Sequence, residues 1–146
     1  MGAIFWRSAN TISMAEHSLK NRQTVSNRQS GAQWEKTAEA FLLSKGLKLL
    51  HRNFYSRFGE IDLIMEDSET LVFVEVKYRK SKQHGSGADA VTFHKQGKIS
   101  RTAAWYLAKN PRRAACVCRF DVISIDPGYK DQGINWIKSA FYSTLA

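Results

Sequence analysis

Two runs, Gly59-Glu-Ile-Asp-Leu-Ile-Met-Glu66 and Leu71-Val-Phe-Val-Glu-Val-Lys-Tyr-Arg79, are separated by Asp67-Ser68-Glu69-Thr70. Alternating or β-branched residues on both sides of a short polar break are the pattern of two strands closed into a hairpin. If Ser68-Glu69 is a two-residue loop with Asp67 opposite Thr70, the same register sets Asp62 opposite Glu75. Directly opposed residues on one face have β-carbons about 5 Å apart, so one cation can bridge two carboxylates placed there. Lys77, two residues beyond Glu75, shares that face.

The other face of the hairpin collects Ile61, Leu63, Met65, Val72, Val74, Val76 and Tyr78, and this continuous apolar surface is expected to be the core side. The face carrying Asp62 also holds Glu60, Ile64, Leu71, Phe73, Glu75, Lys77 and Arg79, apolar at the turn end and ionised at the other, as at the edge of a cleft. The same spacing suits two plainer arrangements. One is a solvated strand face with ordinary ion pairs, which contribute little. The other is a partly buried ion network, in which Asp62 and Glu75 would repel each other unless a proton or cation intervened.

Working outward, Trp34, Ala38, Phe41 and Leu42 recur at helical spacing and predict a helix from about Gln33 to Lys45, ended by Gly46. A strand follows near Leu47 to Tyr55. After the hairpin, Ser81 to Gly87 reads as a mobile loop containing His84, a side chain that suits a proton carrier but equally a solvated loop residue. A second helix is predicted from about Phe93 to Lys109, burying Ile99, Ala103, Tyr106 and Leu107 and stopping before Pro111. Cys116 to Ile125 reads as a strand, and Ile134 to Phe141 fits no single pattern. The order helix, three strands, helix, strand describes an α/β domain with one mixed sheet flanked by helices. Residues 1–30, rich in Ser, Asn, Gln, Thr and Arg without a sustained period, read as a flexible basic tail ahead of a domain at 31–146.

The chain has 146 residues, 43% of them hydrophobic, enough for one core without disulfides or structural metal. Its formal charge is +9, of which the tail carries +3 and the remainder +6, so the body itself attracts polyanions. No apolar run approaches the roughly 20 residues of a spanning helix. The opening Met1–Trp6 is too short for a secretory core, and Trp6 stands where myristoylation requires Ser or Thr. Cys116 and Cys118 alternate along one strand and cannot form an ordinary disulfide with each other. These features predict a soluble, cytoplasmic protein with no membrane segment.

Gly59-Glu-Ile-Asp-Leu-Ile64 followed by Val72-Phe-Val-Glu-Val-Lys77 resembles the metal-binding hairpin of the PD-(D/E)xK nuclease superfamily. From about Gly31 to Phe141 the chain resembles the bacterial YraN-like family of uncharacterised predicted endonucleases. The likeness is carried by Gly31 with Glu35 and Ala38, Arg52-Asn-Phe54, the hairpin with Arg79, Gly85, Lys95, Arg119-Phe-Asp-Val122 and Ala140-Phe141. It implies a restriction-endonuclease-like αβββαβ core and hydrolysis of phosphodiester bonds in DNA, with branched or repair intermediates and a homodimer as options. Asp62 and Glu75 supply the hard oxygen ligands that suit Mg²⁺ or Mn²⁺, and the resemblance adds the Val76 carbonyl. Lys77 would orient an attacking water or neutralise the transition state. The family's helix glutamate falls on Glu35, which by itself reads as an ordinary helix residue. Glu60 either joins the site or pairs with Lys77 or Arg79.

On the second helix His94, Lys95, Lys98 and Arg101 form a basic row that suits phosphates as well as it suits a solvated face. Gln96 falls where related nucleases place a polar residue near the site, although Gly97 weakens the helix there. Together with Arg79, the residues Lys95, Gln96, Lys98 and Arg101 are the candidate contacts to nucleic acid. Trp6, Trp34, Trp105 and Trp136 form no spaced stacking platform. The runner-up function is a non-catalytic nucleic-acid-binding accessory protein that keeps the nuclease fold; intact Asp62, Glu75 and Lys77 favour the enzyme.

Overall fold

The computed structural model describes residues 6–79, 91–126 and 133–145. Two units are distinguished, 1–33 and 34–146, and each is considered by itself. Helix α1 (Trp6–Ser44) supplies the described part of the first unit and enters the second at Trp34. Residues 6–30 are therefore helical where the sequence reads as a flexible tail. That segment lacks Gly and Pro and contains Ala, Leu, Lys, Arg and Gln, so its backbone favours helix, whereas the absence of an apolar stripe hides it from any reading based on period.

The second unit is a five-stranded sheet in the order β1 (Lys48–Ser56), β2 (Gly59–Asp67), β3 (Thr70–Tyr78), β4 (Cys118–Ile125) and β5 (Ile134–Phe141). Neighbours are antiparallel except β3 and β4, which run parallel through the connection that contains α2 (Phe93–Lys109). This is the expected restriction-endonuclease-like mixed α/β fold, with one strand added. The ambiguous segment becomes β5, an edge strand whose period of two is broken by the register shift at the left-handed Ser139. Cys116 precedes β4 instead of opening it, and both cysteines are free. His84 and Gly85 lie outside the described residues.

Local chemistry sets the element ends. Gly46, at φ +92, turns the chain out of α1 while the Leu47 N–H returns to the Leu42 carbonyl. Thr92 caps α2 by accepting the Lys95 N–H, and Pro111 follows its end.

Both faces of the hairpin are core, not one. Leu63, Met65, Val72 and Val74 pack with Ala38 and Leu42 of α1, whereas Ile64, Leu71 and Phe73 pack with Ile99, Ala103 and Tyr106 of α2. Strict alternation would group Ile61 with Leu63, yet Ile61 joins the α2 side. The slip between them lies opposite a left-handed Asn53, at φ +47, in the neighbouring strand, whose register shift between Leu49 and His51 faces Met65 and Ile64. On β4, Asp121 is fully buried and accepts hydrogen bonds from Arg119 Nε and Nη2, Trp136 Nε1 and the Ser139 N–H. It sits where the β4–β5 register shifts, between Phe120 and Val122.

Candidate metal centre

The β2–β3 pairing runs from Asp67 opposite Thr70 to Leu63 opposite Val74, as the loop reading requires, and then stops. One step further the backbone ladder gives way to a side chain: Asp62 Oδ2 accepts the Val76 N–H at 2.8 Å. Glu75 stands beside it, and the two carboxylates are 9% and 5% exposed. Glu75 Oε1 faces Lys77 Nζ at 3.4 Å and Lys95 Nζ, from the first turn of α2, at 3.6 Å. Its second oxygen, Oε2, is buried with no hydrogen-bond partner among the described residues.

Burial first, and then the charge of Glu75, push the Asp62 carboxyl up to about 8, against the opposing pull of the Val76 N–H. Two carboxyls are thus taken out of water, one holding its proton well above the ordinary range and the other, faced by two ammoniums on one oxygen, left with its second oxygen orphaned. A hard divalent cation answers that need, and the donors present are the oxygens it prefers. Among the described residues no three His, Cys, Asp or Glu side chains converge tightly enough to hold an ion alone. A cation held by the two carboxylates would therefore have to complete its shell with water and backbone oxygens, as Mg²⁺ commonly does.

Glu35 of α1 approaches from the side. Burial raises its carboxyl, with further contributions from Glu60 and Glu75, so it lies within the same electrostatic cluster. It is held by Asn53, whose Nδ2 donates to Glu35 Oε2 at 2.9 Å. Asn53 falls between the pairs Arg52–Leu63 and Phe54–Ile61, opposite Asp62, and its left-handed backbone is one that Asn tolerates. Sequence reasoning gave Asn53 no positional role; the signal was an Asn inside a run otherwise suited to a strand.

The basic candidates separate. Lys95 belongs to the carboxylate cluster itself, and Lys98 lines an adjoining cleft with Tyr55, Ser56, Gly59, Glu60 and Lys95. Gln96 Nε2 instead donates to the Val91 carbonyl at 3.0 Å, holding the approach to α2. Arg101 lies over the Phe58 ring, 6.0 Å from its centroid. Arg79 continues β3, and its N–H bonds to the Ile125 carbonyl. Glu60 faces Tyr55, whose phenol it raises.

Comparison with known proteins gives one consistent result. The family described as Uncharacterised protein family UPF0102 matches residues 34–125, from the start of the second unit to the end of β4. A UPF0102 protein of Alcanivorax borkumensis is 41% identical over 119 residues, covering 81% of this chain and 95% of that relative. One from Vibrio parahaemolyticus is 45% identical over 79% of this chain and 93% of its own. A third, from Saccharophagus degradans, is 46% identical with coverages of 79% and 94%.

Proposed function

We propose that this chain, which belongs to the uncharacterised protein family UPF0102, the YraN-like group, is a divalent-metal-dependent endonuclease that hydrolyses phosphodiester bonds of DNA. The observation that carries the reading is the pair of buried carboxylates, Asp62 and Glu75, with an unpartnered oxygen and two lysine ammoniums at 3.4 and 3.6 Å. Asp62, Glu75 and the Val76 carbonyl are the proposed ligands. When bound, Mg²⁺ or Mn²⁺ supplies Lewis-acid polarisation of the phosphate and a lowered pKa for an attacking water. Lys77 then orients that water, and Lys95 is placed to neutralise charge on the phosphoryl oxygens. Glu35, steadied by Asn53, is suited to hold a further water at the edge of the site.

The partner follows from charge. A chain of +9 attracts a polyanion, and among the described residues no helix is long and apolar enough to cross a membrane. The two free cysteines suit a reducing cytoplasm. Binding of a DNA duplex is expected to weaken at least tenfold between about 50 and 200 mM salt, as phosphate neutralisation demands. An affinity that stays level over that range, measured by fluorescence anisotropy, would remove the electrostatic support.

The deciding experiment is a cleavage screen over linear, flapped and four-way DNA with Mn²⁺, with EDTA and Lys77→Ala as controls. Lys77→Ala is expected to reduce cleavage by roughly 100-fold or more, the usual range for losing a charged transition-state contact. Metal-dependent cutting that persists at full rate in Lys77→Ala refutes the assignment. Salt-sensitive binding without any cutting would favour the accessory protein.

A further inference from the structure

We infer that the cleft beside the carboxylates receives one unpaired nucleotide, so that nucleic acid with a single-stranded or frayed segment is the preferred partner. This rests on the reading of the chain as a nucleic-acid enzyme. The cleft, about 330 Å³, is lined by Tyr55, Ser56, Gly59, Glu60, Lys95 and Lys98. It adjoins the candidate metal centre through Lys95, which lies at its wall and 3.6 Å from Glu75. Its volume lies at the small end of the roughly 300–1,000 Å³ typical of small-molecule sites, matching one nucleotide and not a duplex.

Tyr55 gives the cleft its character. The residue is 67% exposed and sits opposite Glu60 in the β1–β2 ladder, so its ring stands in water at the cleft wall. A base stacked on such a ring contributes without regard to sequence, since every base has a π-face. Inside a duplex both faces of a base are covered by its neighbours, so away from a duplex end only an unstacked base can use Tyr55.

Beyond the cleft the β1–β2 turn extends the same chemistry. Arg57 and Arg101 both lie against the Phe58 ring, 4.8 and 6.0 Å from its centroid. Arg57, Lys98 and Arg101 make no ion pair among the described residues, which leaves three cations for backbone phosphates. The turn is fixed, not loose. Ser56 Oγ meets Thr102 Oγ1 of α2 at 3.0 Å and also accepts the Phe58 N–H at 3.1 Å. Gly59 opens β2 at φ +149, a backbone conformation that residues with side chains rarely adopt. The cations of this turn and the Tyr55 ring thus flank the cleft whose wall includes Lys95, the lysine that faces Glu75.

The test is anisotropy binding in EDTA, with labelled oligonucleotides presented as single strand, flap and blunt duplex. Wild-type protein is expected to favour flap over duplex. Tyr55→Ala should lower flap affinity about tenfold, the loss expected for one stacked base, and erase the preference. Tyr55→Phe should keep both, since the ring remains. Equal affinity for flap and duplex in the wild type, or an unchanged preference in Tyr55→Ala, overturns the inference. A Tyr55→Ala protein that still cuts flapped DNA with the wild-type rate and preference would defeat this cleft while sparing the metal centre. A wild-type preference for flaps lost in Tyr55→Ala, in a protein that cuts nothing, would do the reverse.

Discussion

Asp62→Asn is expected to abolish Mn²⁺ binding while making the metal-free protein more stable at neutral and alkaline pH. In the metal-free fold the Asp62 carboxyl is pushed up to about 8, chiefly by burial and then by Glu75. An unfolded chain ionises the same group near pH 4. Between those values the folded state binds more protons than the unfolded one, so the stability that protonated Asp62 permits is complete below about pH 4 and declines as pH rises toward 8. Asparagine has no such titration, and its amide oxygen still accepts the Val76 N–H. The stability difference between Asp62→Asn and wild type should therefore vary with pH, growing from pH 4 to pH 8 by at least about 1 kcal/mol. Urea unfolding in EDTA at several pH values reads this difference, and calorimetric titration with Mn²⁺ reads the lost site. A difference that is level across pH would contradict the buried, repelled carboxyl; unaltered Mn²⁺ affinity would contradict its role as a ligand. Glu75→Gln should lose Mn²⁺ equally, because it removes the charge whose Oε2 has no hydrogen-bond partner among the described residues.

Why the hairpin could be read from residues alone, and its surroundings could not, has a physical explanation. The polar break at Asp67–Thr70 and the alternation on either side determine the pairing, and the observed register from Asp67–Thr70 to Leu63–Val74 is the one they require. The alternation does not say how many faces are covered. Leu71, Phe73 and Ile64 hint that the second face is not solvated, but only the helix lying on it makes it core. The slip at Ile61 and the insertion of Asp62 against the Val76 N–H lie opposite a left-handed Asn53 on the neighbouring strand, a non-local arrangement with no local signature. Lys95 illustrates the same limit. On the helix it looks like one cation in a basic row, and the fold of α2 over β3 is what brings it to Glu75. Residues 6–30 fail for the opposite reason: helical propensity without amphipathicity leaves no periodic trace.

Asp121→Ala is expected to be the most destabilising single change in the second unit, at about 3 kcal/mol or more, the cost of stripping a buried ion pair of one partner. Arg119-Phe-Asp121 invites a catalytic reading, since a buried aspartate beside an arginine on a central strand looks like part of a site. Its contacts argue otherwise. Asp121 is wholly buried, and its two oxygens accept four hydrogen bonds, from Arg119 Nε at 2.9 Å and Nη2 at 3.0 Å, Trp136 Nε1 at 2.9 Å and the Ser139 N–H at 3.0 Å. A carboxylate so fully engaged has little capacity left for a cation. What it fixes is β5: Ser139 adopts φ +50 at the register shift, and its N–H is taken by this carboxylate. Alanine would leave the Trp136 and Ser139 donors without their acceptor and Arg119 with only Asp67, 3.0 Å away. Asp67→Ala, at a position whose side chain is 30% exposed, should cost less than about 1 kcal/mol. Urea midpoints for the two variants, with hydrogen exchange at the β5 amides, separate these outcomes. The structural role also demands that Asp121→Asn, which keeps the shape and part of the hydrogen bonding, bind Mn²⁺ as wild type does. A variant that folds normally but loses the ion would move Asp121 into the metal centre.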